Sequence, residues 1–143
     1  MTYSTLDDLK TRFGEAEILQ LTDKANTGAI VVPVVDDALA DTDSEMNGYL
    51  SVQYALPIPS TVKLLEAIAS DIARYYLHEN KATEEVEIRY ERRVDQLKAI
   101  ASGKMKLIDS ATNLIVGESA EIGSGPIYDG AALVFTDDFL DNY

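Results

Sequence analysis

Cysteine is absent from this chain of 143 residues, which removes a disulfide framework, a thiolate metal site and a thiol nucleophile together. Histidine occurs once, as His78, so a histidine-dependent triad would rest on that residue alone, and no nucleophile elbow accompanies it. There is no glycine-rich phosphate loop. No apolar run approaches the roughly 20 residues of a membrane span, and no basic-then-apolar leader opens the chain. These absences predict a soluble protein that is not an enzyme and works without cofactor, metal, membrane or export.

Basic residues are scarce too. Lysine and arginine number 12 against 25 acids, for a net charge of −13. Their distribution is uneven. Residues 25–62 and 107–143 contain no base at all, whereas the bases of residues 63–106 slightly outnumber the acids. A grip on nucleic acid needs a basic footprint that displaces counterions, and this chain has none of the required size. An acidic surface serves solubility, and it also suits a wall past which DNA slides without sticking.

Turning to what is present, apolar residues recur at helical spacing over most of residues 1–106. Leu6, Leu9 and Phe13, then Ile18 and Leu21, form two short periods around Gly14, with Ser4 or Thr5 as cap and Asp7 and Asp8 at the positive end. This is a helical hook that needs another surface to cover its apolar side. A loop follows from Asp23 to Pro33. A long helix is then expected over Val34–Val52, with Val35, Leu39, Thr42, Met46, Tyr49 and Leu50 inward and Asp36, Asp37, Asp41, Asp43 and Glu45 as the acidic outer surface. Gly48 would weaken that helix and allow close packing. Leu56-Pro57-Ile58-Pro59-Ser60 stops it.

Ser60 is placed to cap a second long helix over Thr61–Asn80, and Thr83 a third over Glu84–Ser102, with Gly103 as a left-handed stop. Glu85 with Arg89, and Asp95 with Lys98, are spaced to pair along the third helix. His78, near the end of the second, would ease the negative end of its dipole. The fold class is therefore all-α: a small bundle of the hook and three long helices spanning 1–106, followed by an extended, partly β arm over 107–143. In that arm helical periodicity disappears, and Asn113–Val116 and Ala131–Phe135 are short β-prone runs.

Two stretches fall short of a metal site. Asp23–Gly28 has the first aspartate and sixth glycine of a calcium loop, but Ala25, Thr27 and Val34 stand where oxygen ligands belong. Asp41 and Asp43 point to different sides of one helix. The features left for partners are Arg89, Arg92 and Arg93 on the third long helix, which suit carboxylates nearby or on a second copy, and Phe135, Phe139, Leu140 and Tyr143 among the acids of the arm.

Several pieces, taken in order, carry a resemblance: Tyr3, Leu6–Leu9, Arg12-Phe13-Gly14-Glu15, Gln20-Leu21-Thr22-Asp23, Asp43 and Glu45 with Tyr49-Leu50, Tyr54-Ala55-Leu56-Pro57, Asp71-Ile72-Ala73-Arg74-Tyr75 with Leu77, Arg89-Tyr90, Leu97 and Gly103. Their order and spacing resemble the Mu-type phage and prophage head–tail connector, or neck adaptor, family. Phe135-Thr136, Leu140 and Tyr143 resemble that family's aromatic tail tip. The resemblance implies a structural virion protein at the neck, assembled in the host cytoplasm. It implies a ring of twelve copies beneath the portal protein, joined to tail or tail-completion proteins, with DNA passing through unbound. Two alternatives stay open: another neck or tail-completion (terminator) protein, and a small acidic binding protein that mimics DNA.

Overall fold

Thr5 opens the first helix by a reciprocal cap. Its hydroxyl accepts the Asp8 amide at 3.2 Å, and the Asp8 carboxylate accepts the Thr5 amide at 2.9 Å. In this computed structural model, which describes residues 2–79 and 81–117, five helices follow one another: α1 (Leu6–Phe13), α2 (Glu15–Thr22), α3 (Val32–Leu50), α4 (Lys63–His78) and α5 (Glu84–Ala101). Gly14 is at once the last cap of α1 and the first of α2, at φ 94°, a backbone setting that favours glycine. A single residue therefore makes the bend of the hook.

The hook closes the bundle, as its exposed apolar periods require. Leu9 and Ile18 are fully buried with Val35, Ala38 and Leu39 of α3 and Ala73 and Leu77 of α4. Leu6, Phe13 and Leu21 pack around that cluster. Burying a leucine or isoleucine side chain contributes about 1.5–3 kcal/mol, so these contacts suit two helices too short to persist alone. A second, larger cluster joins Met46 and Leu50 of α3, Leu65, Ile68 and Ile72 of α4, and Leu97 and Ile100 of α5. Helix α4 is common to both and packs against each of the other four.

Boundaries differ from the sequence expectation where local chemistry overrides periodicity. Helix α3 begins at Val32, with Pro33 inside its first turn, where the missing amide is no loss. It ends at Leu50, two residues early. Gly48 faces open space, and a methyl group added there would meet nothing within 4 Å, so it mediates no close packing. Ser60 is not the cap of α4. Val62 holds that position without a side-chain bond, and it is itself buried beside Ile58, so apolar anchoring fixes this helix start. Thr83 does cap α5, accepting the Val86 amide at 3.3 Å. Gly103, at φ 81°, follows the Ser102 cap; its amide bonds Ile100 O and that of Lys104 bonds Ala99 O, a Schellman ending.

Beyond α5 the chain turns back on the bundle. Leu107 is fully buried in the larger cluster and Val116 packs against it. Ile108 and Ile115 form an isolated antiparallel bridge, and the Leu107 amide donates to the Tyr54 hydroxyl at 3.1 Å. That bridge is the only β pairing among the described residues. The Ala131–Phe135 run lies outside them.

Candidate assembly surface

Helix α5 carries the arginine cluster, and α4 decides how much of it faces outward. With 3.6 residues per turn, Arg89 and Arg93 share one stripe and Arg92 lies beside them. Asp71 of α4 is only 5% exposed. Arg93 Nε donates to Asp71 Oδ2 at 2.6 Å, and Arg89 Nη1 lies 3.6 Å from Asp71 Oδ1. Arg93 Nη1 also donates to Gln96 Oε1 at 2.8 Å. Two of the three arginines thus serve a buried carboxylate of their own chain, which would be costly to leave unpaired. Arg92 remains exposed, with no carboxylate partner among the described residues.

The pairs expected along α5 do not form. Glu85 lies 3.6 Å from Arg74 Nη1 instead of pairing with Arg89, and Asp95 makes no ion pair with Lys98 among the described residues. An exposed pair within one helix is worth a few tenths of a kcal/mol, too little to compete with Asp71. What α5 shows outward is a continuous face. Arg89, Arg92, Arg93, Asp95 and Gln96 line a shallow depression of about 510 Å³. A second, of about 350 Å³, adds Glu84, Glu85 and Ile88, a residue that is 42% exposed.

The acidic side of α3 divides in the same manner. Asp36, Asp37 and Asp41 are exposed. Asp43 and Glu45 are half-buried, and each accepts hydrogen bonds from its own chain. Asp43 Oδ1 accepts the Tyr3 amide at 3.0 Å. Glu45 accepts the hydroxyls of Tyr76 at 2.5 Å and Tyr90 at 3.0 Å. Burial, followed by the hydrogen bond to Glu45, raises the pKa of both phenols, that of Tyr90 to about 12. Tyr90 also stacks on Tyr75 at 4.0 Å between ring centres, so its ring is spent inside the fold.

A cleft between α2, α4 and the link into α5 gave no distinct signal in the sequence. Its volume is about 680 Å³, and Glu17, Arg74, Leu77 and His78 are among its lining residues. Arg74 donates to Glu17 through Nε at 2.6 Å and Nη2 at 3.0 Å, and its guanidinium lies 4.6 Å from the centre of the Phe13 ring. Burial alone would lower the Arg74 pKa, but Glu17, with Glu85 and Asp71, outweighs it and holds the group above its ordinary value. His78 is shifted down, first by burial and then by the Arg74 charge. Its Nε2 is buried without a partner among the described residues. Asp23 is closed on its own loop, accepting the Thr27 and Gly28 amides at 2.8 and 2.7 Å. Phe135, Phe139, Leu140 and Tyr143 lie outside the described residues. No helix among the described residues is long and apolar enough to cross a membrane.

The family model described as "Bacteriophage Mu, Gp36" matches residues 3–123, a span that includes all five helices and the turn at Ile108–Ile115. The chain belongs to the phage Mu Gp36 family. Gene product J of Escherichia phage Mu is 31% identical over 105 residues, covering 73% of this chain and 74% of its own length. The Mu-like prophage FluMu protein gp36 of Haemophilus influenzae is 36% identical over 73 residues, covering 51% and 52%. The Mu-type resemblance read from the sequence is thus shown. In this Gp36-family chain the stretches that carried it are structural ties: Arg12 reaches Glu66 at 2.8 Å, Phe13 underlies Arg74, Tyr54 holds Leu107 and Asp71 holds the α5 arginines.

Proposed function

We propose that this Gp36-family protein is a structural subunit of the phage neck. Twelve copies would form a ring beneath the portal protein, around the DNA channel, and join the capsid to the tail or its completion proteins. It performs no chemistry in this reading and binds no cofactor. Membership of a phage Mu protein family across nearly all of the helical body is the observation that carries the proposal. The charge pattern supports it. Exposed Asp36, Asp37 and Asp41 stand in a 38-residue stretch without a base, a surface that repels passing phosphates. The polar clusters of the body are largely consumed in holding helices together, which suits assembly better than turnover.

Virions carrying a labelled copy of this chain test the reading by position. Label at the neck agrees with it. Label along the tail or at its far end favours a tail-completion protein, and absence from virions contradicts both. Deleting residues 131–143 is expected to leave the helical circular-dichroism signal intact, since all five helices lie within residues 6–101, while blocking the joining of heads to tails. Loss of helicity in that truncation would contradict the separation of arm and body.

A further inference from the structure

Large apolar side chains left in solvent are informative when they gather beside charge of one sign. Seven are exposed among the described residues, and six of them fall at two places. Val52, Leu56, Ile108 and Leu114 lie on the segments that meet at one end of the bundle, where the α3–α4 link touches the chain around and beyond the end of α5. Gln53 Nε2 donates there to Ala101 O at 3.2 Å, and the Leu107 amide to the Tyr54 hydroxyl. Residues 96–108 supply that end with Lys98, Lys104 and Lys106 and with no acid. All three lysines are exposed, and none has a carboxylate partner among the described residues. The carboxylates of the same segments are occupied: Glu66 by Arg12 and Lys63, and Asp109 by the Ala111 amide at 2.8 Å in its own turn. Val32 and Val34 stand at the opposite end of α3, 45% and 37% exposed, beside exposed Asp36 and Asp37. Residues 25–62 contain no base, and Lys24 just before them is paired with Glu79. Lys81 of that end is outnumbered by Glu84, Glu85 and Glu87 in the first turn of α5.

We propose that the lysine end of one copy docks on the Val32–Asp37 end of α3 in the next. Lys104 and Lys106 meet Asp36 and Asp37, while Val52 and Ile108 cover Val32 and Val34. A second copy is the occupant because the two ends cannot serve each other within one chain: the 19 residues of α3 hold them about 28 Å apart at 1.5 Å per residue. Nor do like ends pair, since the unpartnered charge of each is of one sign. What remains is a head-to-tail contact, the heterologous kind that closes a ring when each step turns by the right angle. The inference rests on the ring reading above and deepens it by naming the seam between copies. Asp41, and the surplus acids of a chain at −13, leave the assembled wall acidic.

The absence of cysteine makes the test clean. Full-length copies carrying Ala40→Cys, one turn beyond Asp36 on the exposed side of α3, or Ser102→Cys, at the lysine end, keep every charge named above. Mixed in equal amounts with a short bismaleimide, they should give the mixed dimer well above its binomial share, and severalfold less of it in high salt. Adding Lys104→Glu and Lys106→Glu to the Ser102→Cys copy should cut that yield severalfold, and Asp36→Lys with Asp37→Lys in the other copy should restore it. A copy with both cysteines should give chain-to-chain ladders rather than a link within itself. Circular dichroism of each variant checks that the helices persist. The experiment is run on the free chain and again on the chain mixed with portal protein. A binomial mixture in both settings overturns the proposal and leaves the portal or the rest of this chain to cover the lysines. Indifference to the charge reversals overturns it too, as does an excess of either like-with-like dimer. Charge-dependent linkage without a ring on the portal keeps this contact and contradicts the connector reading; a ring on the portal without such linkage does the reverse.

Discussion

Helices α3 and α5 are nearly equal in length, at 19 and 18 residues, and each carries a run of charge that reads as a solvated face. The structure divides both runs by distance from the seam with α4. On α3, Asp36, Asp37 and Asp41 remain in solvent while Glu45 takes two tyrosine hydroxyls. On α5, Arg93 and Arg89 go to Asp71 while Arg92 stays outside. The difference lies in what is left over. Helix α3 keeps a bare acidic strip, and α5 keeps an arginine beside an exposed isoleucine. One carries a single sign of charge and the other a mixture.

Removing the inward partners should break the comparison most severely. Arg93→Ala strands the buried Asp71 carboxylate at the helix seam and is expected to cost about 3 kcal/mol, the low end of the range for breaking a buried pair because Arg89 stays nearby, as a lowered midpoint in thermal or urea unfolding. Glu45→Ala leaves two half-buried phenols without their acceptor, and about 1–3 kcal/mol is expected by the same measurement. If either variant unfolds like the parent chain, the division into inward and outward charges is wrong.

The pH response is a smaller effect. His78 has its pKa depressed in the folded chain, so the unfolded chain binds the proton more readily. Stability linked to this group is complete above its ordinary value near 6.5 and is lost as pH falls from there through the folded value. Glu66 is likewise depressed, by its hydrogen bonds from Arg12 and then Lys63, and its contribution is lost at lower pH, below about 4.5. Urea midpoints followed from pH 7.5 to 5 should fall in the parent and fall less in His78→Gln. An unchanged slope would show that the imidazole titrates normally. The smallest effects are expected outside the seam: Asp36→Ala, Asp41→Ala and Arg92→Ala should each change stability by less than about 0.5 kcal/mol. A large loss at Arg92 would reveal a partner within its own chain.

Much of the fold was legible because apolar spacing reports the buried face of a helix directly. Leu6, Leu9, Phe13 and Ile18 announced the hook, and Thr83 and Gly103 announced both ends of α5. What periodicity could not report were partners distant in sequence. Glu45 and Tyr76 are separated by 31 residues, and Arg74 and Glu17 by 57. Nothing local distinguishes Glu45 from Asp41, and only the crossing of α3, α4 and α5 selects one of them. Ser60 failed as a cap for a related reason, since the burial of Ile58 and Val62 sets where α4 begins. Of the contact residues expected from sequence, the arginines proved separable only once Asp71 was placed beside them.

The central claim is that this chain assembles on the portal as a neck ring. Purified portal protein mixed with an excess of the full-length chain and imaged by electron cryo-microscopy tests it most directly. The account predicts a symmetric ring of additional density, coaxial with the portal and open at its centre, with five helices resolvable in each of twelve copies. Portal particles that gain no such ring at saturating concentration would contradict it.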